Sequence, residues 1–224
     1  MSKILITGSE SGLGNALVQA LMWEGHEVYG FDHHLEDDVR NPAPRRIPDE
    51  LDVLINCAGV NHQDWLEDMT PEAWARVMDT NALGILRMAQ ACLPALKASR
   101  GTILNITSNA AWTPMTCSIA YNASKAAAHA MTLQMARELT KKYGITVFGV
   151  APNKLRGTGM SRTIEADVLR TRGWAAEFAA QYQKNALLTG EETDPAVLAE
   201  FIAFLLSKKS RHSQLSGCII PYGA

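Results

Sequence analysis

The sequence has few cysteines, and they follow no pattern typical of a disulfide framework or a zinc site. The four cysteines stand at positions 57, 92, 117 and 218, with no CxxC pair and no histidine at metal-ligand spacing beside them. Scattered thiols of this kind suit a reducing compartment, where disulfides are rare. We therefore predict a cytoplasmic protein that has no metal site.

The chain also lacks a strong charge of either sign and any long apolar run. A formal net charge of −2 gives no electrostatic basis for binding nucleic acid or an anionic membrane. The longest apolar stretches have only the length of a strand. The first residues, MSKILITGSE, contain only a short apolar run before turn residues, which is too short for a signal peptide. Neither nucleic acid nor a membrane is an expected partner.

Short apolar runs alternate with longer helical patterns. The runs that have the length and composition of strands cover 3–7, 26–32, 51–59, 101–108, 144–152 and 216–223. Several are almost continuously apolar, which is typical of a parallel sheet covered by helices on both faces. The helical patterns cover 12–24, 71–98, 120–142 and 194–207. This alternation predicts a single α/β domain over 1–224, a doubly wound parallel sheet (Rossmann fold) of about seven strands.

Two segments depart from this alternation. Residues 33–50 contain three prolines and many charges, so the helix that would follow the second strand is predicted to be missing or shortened. Residues 153–190 are polar, contain one helical stretch and are a candidate substrate lid. Trp174, Phe178 and Tyr182 recur there at helical spacing, which fits either a stripe over the substrate or a packing or oligomer face.

A glycine-rich turn, TGSESGLG at 7–14, follows the first strand and precedes the first helix. Glycine allows a sharp turn and close approach of a bound group, and the positive end of the following helix favours a pyrophosphate. The spacing alone would also fit a turn without a ligand, but its place between strand and helix favours a dinucleotide. The residues predicted to contact the cofactor are Gly8, Ser11, Gly12, Leu13 and Gly14.

Asp32 ends the second strand, 18 residues after Gly14. An acid at this place can accept hydrogen bonds from the adenosine ribose and repel a 2′-phosphate. The glycine turn carries Glu10 and no arginine or lysine, although His33 and His34 follow Asp32 directly. These residues favour NAD(H) over NADP(H).

Tyr121 stands four residues before Lys125 in SIAYNASKAA. Residues at this spacing share one helix face, and a nearby ammonium favours the phenolate, which would lower the pKa of the tyrosine. A tyrosine with a lowered pKa can exchange protons with a substrate oxygen near neutral pH. The spacing by itself fits equally well two ordinary residues on one helix face.

Several further motifs occur in a fixed order along nearly the whole chain. NCAG lies at 56–59, Trp74 and Asn81 lie seven residues apart in one helical segment, and NITS ends at Ser108, thirteen residues before Tyr121. Together with TGSESGLG, YNASK and the final SGCIIPYGA, these motifs resemble the short-chain dehydrogenase/reductase family.

This resemblance implies the roles of further residues. It implies a catalytic set of Asn81, Ser108, Tyr121 and Lys125. Besides the glycine turn, it implies cofactor contacts at Asp32, Asp38, Val39, Asn56, Ala58, Gly59, Tyr121 and Lys125. Leu155 is the position expected to give the nicotinamide a backbone contact. The substrate pocket is expected at Ser108 and Tyr121, with Trp112 nearby, whereas His129 is expected to be structural.

The resemblance implies an NAD(P)(H)-dependent oxidoreductase that acts on a small secondary alcohol or ketone. In this scheme Tyr121 is the general acid or base, Lys125 lowers its pKa and binds the nicotinamide ribose, Ser108 holds the substrate oxygen, and Asn81 supports a proton-relay water. Pairing of the helices at 71–98 and 120–142 between subunits would give a homodimer or homotetramer.

Two departures from the family pattern leave alternatives open. The segment 33–50 is short, and Pro152-Asn153 stands where the family has Pro-Gly. They favour a non-catalytic dinucleotide-binding sensor or scaffold on the same fold, whereas the complete set of four catalytic residues argues against it. Epimerisation or dehydration on the same fold is a third alternative.

Overall fold

The six apolar runs form the six strands of one parallel sheet in the computed structural model, which describes residues 1–207 and 212–223. In chain order the strands are β1 (Lys3–Thr7), β2 (Glu27–Phe31), β3 (Val53–Asn56), β4 (Thr102–Ile106), β5 (Thr146–Pro152) and β6 (Ile219–Tyr222). Their order across the sheet is β2-β1-β3-β4-β5-β6. The predicted doubly wound fold is confirmed, with six strands in the described residues rather than about seven. The order in which strands are added to the sheet reverses between β1 and β3, and folds of this kind bind ligands at that point.

The helices follow the predicted segments closely. They are α1 (Gly12–Trp23), α2 (Pro71–Met78), α3 (Gly84–Ser99), α4 (Ile119–Tyr143), α5 (Gly159–Arg172), α6 (Ala176–Asn185) and α7 (Pro195–Leu206). Thr70 caps α2 by accepting a hydrogen bond from the N–H of Ala73 (3.2 Å), and Asp194 caps α7 through the N–H of Ala196 (2.8 Å). In both helices the first residue is proline, which has no N–H to leave unsatisfied.

Two apolar cores cover the two faces of the sheet. On one face, α1 and α7 pack against the strands through Leu17, Leu21 and Ile202. On the other face, α3 and α4 contribute Met88 and Ala136 to the core. Helices lie on both sides of the sheet, which explains why the central strands β1, β3, β4 and β5 are almost continuously apolar and buried.

The short segment 33–50 forms no α-helix, as predicted. It consists of irregular chain with two 3-10 turns, His33–Leu35 and Pro44–Arg46. Val39 and Ile47 pack into the core beside α3 in place of a helix. Arg46 fixes the segment through two hydrogen bonds of 2.8 Å to the carboxylate of the buried Asp37. The layer is thinner here because prolines interrupt helical hydrogen bonding.

The segment 153–190 contains two helices, α5 and α6, where the sequence indicated one helical stretch. Leu155 forms an isolated parallel bridge with Thr193, which ties the start of the segment to its end. None of the helices in the described ranges is long and apolar enough to span a bilayer.

A chain of buried hydrogen bonds connects the middle of the sheet to α4. The amide of Asn56 donates to Asn105 (2.9 Å), the amide of Asn105 donates to the hydroxyl of Thr132 (2.9 Å), and Thr132 donates to the carbonyl of Ala128 (2.7 Å). Asn105 and Thr132 have no exposed surface. A buried polar group must keep its partners, so this chain fixes the distance between β3, β4 and α4.

Thr132→Val should destabilise the protein, because it leaves the buried amide of Asn105 without an acceptor. We expect the free energy of unfolding to fall by about 1–3 kcal/mol in urea titrations. Thr163→Val is the matched control, since Thr163 makes the same bond to the carbonyl four residues before it but is exposed. The control should stay within about 0.5 kcal/mol of the parent. Equal losses of unfolding free energy in both variants would show that the buried hydrogen bonds stabilise the fold no more than the exposed bond of Thr163.

Candidate active site

The glycine turn between β1 and α1 packs tightly against the loop that follows β3. Gly8 and Gly12 have φ values of +71° and +51°, which glycine adopts without strain. A Cβ at Gly8 would lie 2.9 Å from the Cα of Ala58, and a Cβ at Gly14 would lie 1.9 Å from the carbonyl oxygen of Gly8. No side chain fits at Gly8 or Gly14, so backbone atoms alone form this part of the surface.

The first turn of α1 offers backbone N–H groups to a ligand. Ser11 is the N-cap residue, but its hydroxyl makes no capping hydrogen bond, and the first turn of α1 has no acidic residue. Leu13 is buried in the core below this end of the helix. Uncapped N–H groups and the positive end of the helix dipole suit a pyrophosphate. This end of the site therefore fits a dinucleotide.

Asp32 is buried at the end of β2 and holds the glycine turn in place. Its carboxylate accepts hydrogen bonds from the N–H groups of Glu10 (3.1 Å) and His34 (3.0 Å), and Nδ1 of His33 lies 2.9 Å away. A carboxylate has about four acceptor positions, so one remains for a ribose hydroxyl. The ligand atoms of Asp32, His33 and His34 lie within 4.8 Å of one another, but the backbone donors already engage the carboxylate, which disfavours a metal ion.

Asn56, Ala58 and Val39 border a narrow crevice at the end of β3. The hydroxyl of Thr7 accepts hydrogen bonds from the N–H groups of Cys57 and Ala58, both at 3.0 Å, and so shapes the turn after β3. The side-chain oxygen of Asn56 is buried and has no partner among the described residues. A buried acceptor without a partner is unfavourable, so a ligand that donates a hydrogen bond would be stabilised here.

The structure separates the two residues of the predicted adenine contact. Val39 is buried at the crevice, next to Gly84. Asp38 lies at the surface, and both of its carboxylate oxygens accept hydrogen bonds from Arg40. The side-chain hydrogen bond from Arg40 holds the pKa of Asp38 below its usual range. A contact of Asp38 with adenine stays a prediction, and it would involve a carboxylate that is already paired.

Three of the four predicted catalytic residues meet at the carboxyl end of β4. Ser108 follows this strand, its hydroxyl accepts a hydrogen bond from the N–H of Ala110 (3.1 Å), and it interacts with the phenol of Tyr121 from the first turn of α4. One helical turn later, the ammonium of Lys125 is buried and donates to the carbonyl of Ile106 (3.0 Å). This arrangement brings a phenol, a hydroxyl and an ammonium together at the edge of the sheet where ligands bind.

The expected direction of the pKa of Tyr121 is corrected by the structure. Burial raises the pKa of Tyr121 to about 12, although its hydrogen bond with Ser108 acts in the opposite direction. Burial likewise lowers the pKa of Lys125 to about 8. The pKa of Tyr121 is therefore raised rather than lowered as expected, because Nζ of Lys125 lies 5.8 Å from the centroid of the ring and donates to Ile106, so its charge does not fully offset the effect of burial. Loss of contact with water outweighs the charge of the lysine.

Asn81 connects three elements around these groups. Its side-chain oxygen accepts from the N–H of Val60 (2.8 Å), while its amide donates to the carbonyl of Val60 (2.8 Å) and to the hydroxyl of Ser124 (3.0 Å). Asn81 lies in a π-helical turn, Asp79–Leu83, between α2 and α3. Such turns are rare and occur often at functional sites. The predicted relay water stays a prediction, because protein groups already bind both donors of this side chain.

The loop after β5 reaches the same place. Its carbonyl at Leu155 accepts a hydrogen bond from Ser161, which leaves the N–H of Leu155 as the group that can meet a carboxamide. A Cβ at Gly59 would lie 3.4 Å from the Asn81 oxygen and 3.8 Å from both Lys125 Nζ and Met160 Cε. Gly59 thus faces the catalytic residues, and α5 approaches them through Met160.

The aromatic residues of the lid segment form one cluster. The ring centroid of Trp174 lies 5.0 Å from that of Phe178 and 4.8 Å from that of Tyr182. Trp174 and Tyr182 also line a cavity of about 280 Å³ together with Trp65, Thr116 and Arg172. The interpretation of this stripe as a lid over the substrate stays a prediction.

Trp112 is not paired with the catalytic tyrosine. It is about half exposed, and its ring meets His129 edge-on at 5.7 Å. The short turn after Ser108 directs the ring of Trp112 toward the middle of α4, where His129 lies. The place of Trp112 in the substrate pocket therefore stays a prediction.

Sequence reasoning missed several residues that shape the site. They are Thr7, Ser124, Met160, Thr116, Trp65 and Arg172. Thr7 carried a usable signal, since it ends β1 directly before the glycine turn. The others carried none, because they reach the site from distant loops or through helix faces that only packing determines.

The chain is similar to several known proteins. The sequence pattern described as short chain dehydrogenase matches residues 38–169. The vibriobactin-specific 2,3-dihydro-2,3-dihydroxybenzoate dehydrogenase of Vibrio cholerae is 29% identical over 100% of this chain and 95% of its own length. Sorbitol-6-phosphate 2-dehydrogenase of Klebsiella pneumoniae is 29% identical over 93% of this chain and 90% of its own.

A solved structure supports the fold independently. Levodione reductase superimposes with a TM-score of 0.88 at 21% identity, covering 99% of this chain and 96% of its own. The matched sequence pattern spans more than half of the chain and includes all four predicted catalytic residues. The resemblance found in the sequence is therefore confirmed: the chain belongs to the short chain dehydrogenase family, whose members are dehydrogenases and reductases that act on CH–OH groups.

Proposed function

We propose that this protein is an NAD(H)-dependent oxidoreductase that interconverts a secondary alcohol and a ketone. The observation that carries the proposal is the placement of Ser108 and Tyr121 together with the buried ammonium of Lys125, which donates to the carbonyl of Ile106 at the end of β4. These groups lie at the ligand-binding edge of the sheet, next to a glycine turn that fits a dinucleotide. The names of the two relatives described above denote alcohols that carry a carboxylate or a phosphate.

The residues that would hold the cofactor extend along this edge. The N-terminus of α1 would bind the pyrophosphate, Asp32 the adenosine ribose, and the crevice at Asn56 and Val39 the adenine end. The N–H of Leu155 would bind the carboxamide. When bound, nicotinamide accepts or donates the hydride, which no side chain can do.

Tyr121 would move the proton at the substrate oxygen. With a pKa of about 12 the phenol stays protonated at neutral pH, so it is ready to donate to a ketone oxygen that Ser108 also contacts. The phenolate left behind gains from the positive charge of Lys125, whose Nζ faces the ring at 5.8 Å. In this scheme the charge of Lys125 offsets part of the effect of burial on the pKa of Tyr121, and its ammonium would bind the nicotinamide ribose. We also assign Asn81 a supporting role for a relay water through its π-helical turn.

Association with a second copy is part of the proposal. Four large apolar side chains are substantially exposed, namely Leu83 at the end of the π-helical turn, Leu86 in the first turn of α3, and Ile119 and Leu133 on α4. Exposed apolar residues on two neighbouring helices are typical of a surface that another subunit covers. We propose a homodimer or homotetramer formed through these helices, in a reducing cytoplasm that keeps the cysteines as thiols.

Tyr121→Phe should abolish turnover without loss of dinucleotide binding. Removal of the hydroxyl removes the proton donor, so kcat for NADH-dependent reduction across a ketone panel should fall by about 10²–10⁴-fold. NADH fluorescence titration should still show binding, with an affinity that changes far less than kcat. Tyr143→Phe, at the far end of the same helix, is the control and should keep full activity. If the parent protein binds NADH, reduces no ketone and oxidises no alcohol, the sensor alternative is favoured.

Lys125→Met should change how stability depends on pH. The lowered pKa of Lys125 means that its ammonium destabilises the folded state below about pH 8, and this penalty fades as pH rises toward 10.5. The parent should therefore gain free energy of unfolding relative to Lys125→Met between pH 7 and pH 9.5, on the order of 1–2 kcal/mol at 1.4 kcal/mol per pKa unit. Urea titrations at both pH values measure the difference, and a gap that is constant with pH would contradict the buried ammonium.

NADH should bind more tightly than NADPH. Asp32 lies beside the predicted ribose site, and its charge would repel a 2′-phosphate. Fluorescence titrations at equal ionic strength should give at least a roughly tenfold difference in Kd, as expected for a like-charge contact of about 1.4 kcal/mol. Equal affinity for both dinucleotides would show that His33 and His34, exposed next to Asp32, accommodate the phosphate.

A further inference from the structure

The cavity of about 280 Å³ beside the lid is built from segments that follow three neighbouring strands. Trp65 comes from the loop after β3, Thr116 from the loop after β4, and Arg172, Trp174 and Tyr182 from the lid after β5. The carboxyl ends of parallel strands meet at one edge of the sheet, so this cavity opens at the same edge as the catalytic residues.

Hydrogen bonds join the loops of the cavity walls to the segment between Ser108 and Tyr121. The N–H of Asp64 donates to the carbonyl of Cys117 (3.0 Å), which ties the β3 loop to the loop between Ser108 and Tyr121. The side-chain amide of Asn122, next to Tyr121, donates to the carbonyls of Ala110 and Thr113, both at 2.7 Å. The loop that supplies Thr116 is therefore held on both sides next to Tyr121.

The lid is joined to the same walls. The indole N–H of Trp65 donates to the carbonyl of Thr171 (2.8 Å), and Nη2 of Arg172 donates to the carbonyl of Thr116 (2.9 Å). The guanidinium of Arg172 also stacks 4.9 Å from the centroid of Trp174. These contacts fix the plane of the guanidinium at the cavity wall, since arginine commonly combines stacking with directed hydrogen bonds.

The positive charge of Arg172 has no counter-charge in the described parts of the chain. The neighbouring acids are engaged by other groups, because Asp64 pairs with Arg170 (2.8 Å) and His62 (2.6 Å), and Asp167 pairs with Arg170 (3.1 Å). The Nε atom of Arg172 is buried and has no hydrogen-bond partner among the described residues. A buried donor on an uncompensated cation is unfavourable by itself and favourable when an anion accepts from it.

The other walls of the cavity are aromatic. Trp65, Trp174 and Tyr182 present flat apolar faces, which suit a ring or another flat carbon skeleton. The nearby loop residues Asn61, Gln63 and Ser118 are almost completely buried, and each keeps a side-chain polar atom without a partner in the described ranges. These residues belong to the loops around Trp65 and Thr116 and do not line the cavity itself.

We propose that this cavity is the substrate site and that Arg172 binds an anionic group, a carboxylate or a phosphate, on a cyclic alcohol or ketone held between Trp65 and Trp174. The proposal rests on the oxidoreductase function proposed above and adds the substrate class to it. Arg172 acts as a specificity-determining residue, because it selects charged substrates over neutral ones of the same shape.

Binding of small ring compounds to the whole protein tests the charge requirement without any turnover. Benzoate, phenyl phosphate and the neutral benzamide would be titrated while the fluorescence of Trp65 and Trp174 is followed, with calorimetry as a second measurement. We expect at least one of the two anions to bind about 10- to 100-fold more tightly than benzamide, as for hydrogen bonds to a charged partner. The stronger anion identifies carboxylate or phosphate as the recognised group.

Variants of Arg172 test whether this arginine causes the tighter binding of anions. Arg172→Gln should weaken binding of the preferred anion about 10- to 100-fold and leave benzamide nearly unchanged, whereas Arg172→Lys should recover part of the loss. Arg162→Gln is the matched control, since Arg162 is an exposed arginine on α5 that donates to a backbone carbonyl. Thermal unfolding of each variant checks that it is folded. Equal binding of anions and benzamide, or an equal loss in Arg162→Gln, would overturn the proposal.

A kinetic measurement separates this proposal from the oxidoreductase function. Arg172→Gln should raise KM for 4-oxocyclohexanecarboxylate at least about tenfold and leave KM for cyclohexanone unchanged. If Tyr121-dependent reduction is observed but anionic ligands bind no better than benzamide and Arg172→Gln raises neither KM, only the anion proposal fails. If anions bind through Arg172 and no alcohol or ketone is turned over, the oxidoreductase function fails instead.

Discussion

The position of the site depends on three hydrogen bonds made by one buried side chain, that of Asn81. Two of them hold the backbone of Val60 after β3, and the third holds Ser124 on α4. Ser124 lies directly before Lys125, so the same side chain fixes the loop beside the crevice and the helix that carries the catalytic pair. A π-helical turn brings Asn81 to this place, because it changes the direction of side chains between α2 and α3.

Burial shifts the pKa values of Tyr121 and Lys125, and the same burial destabilises the folded state. An ammonium with a pKa of about 8 and a phenol with a pKa of about 12 both show that the charged forms have lost water. The carbonyl of Ile106 replaces part of that water for Lys125. A site that keeps its phenol protonated is suited to giving a proton, and the uncompensated Arg172 would attract a substrate to the same edge of the sheet.

Most of the fold was predictable because its signals are local. Continuous apolar runs predicted the strands, a proline at the first helical position predicted the starts of α2 and α7, and glycines at positions 8 and 14 predicted the turn. Each of these signals depends only on residues that are neighbours in the sequence. The interrupted segment 33–50 was predictable for the same reason. The catalytic residues could be named from motif spacing, but the direction of the pKa of Tyr121 could not, because it depends on how deeply packing buries the phenol.

The sequence by itself determined the parallel sheet, the glycine turn and the identity of Ser108, Tyr121 and Lys125, since these depend on residue type and spacing along the chain. Only the tertiary structure decided that Asp32 anchors the turn and that Trp112 meets His129. It also decided that Arg172 reaches a cavity without a carboxylate partner. Such outcomes are set by contacts between residues far apart in the chain, and no local pattern encodes which charges will find a partner.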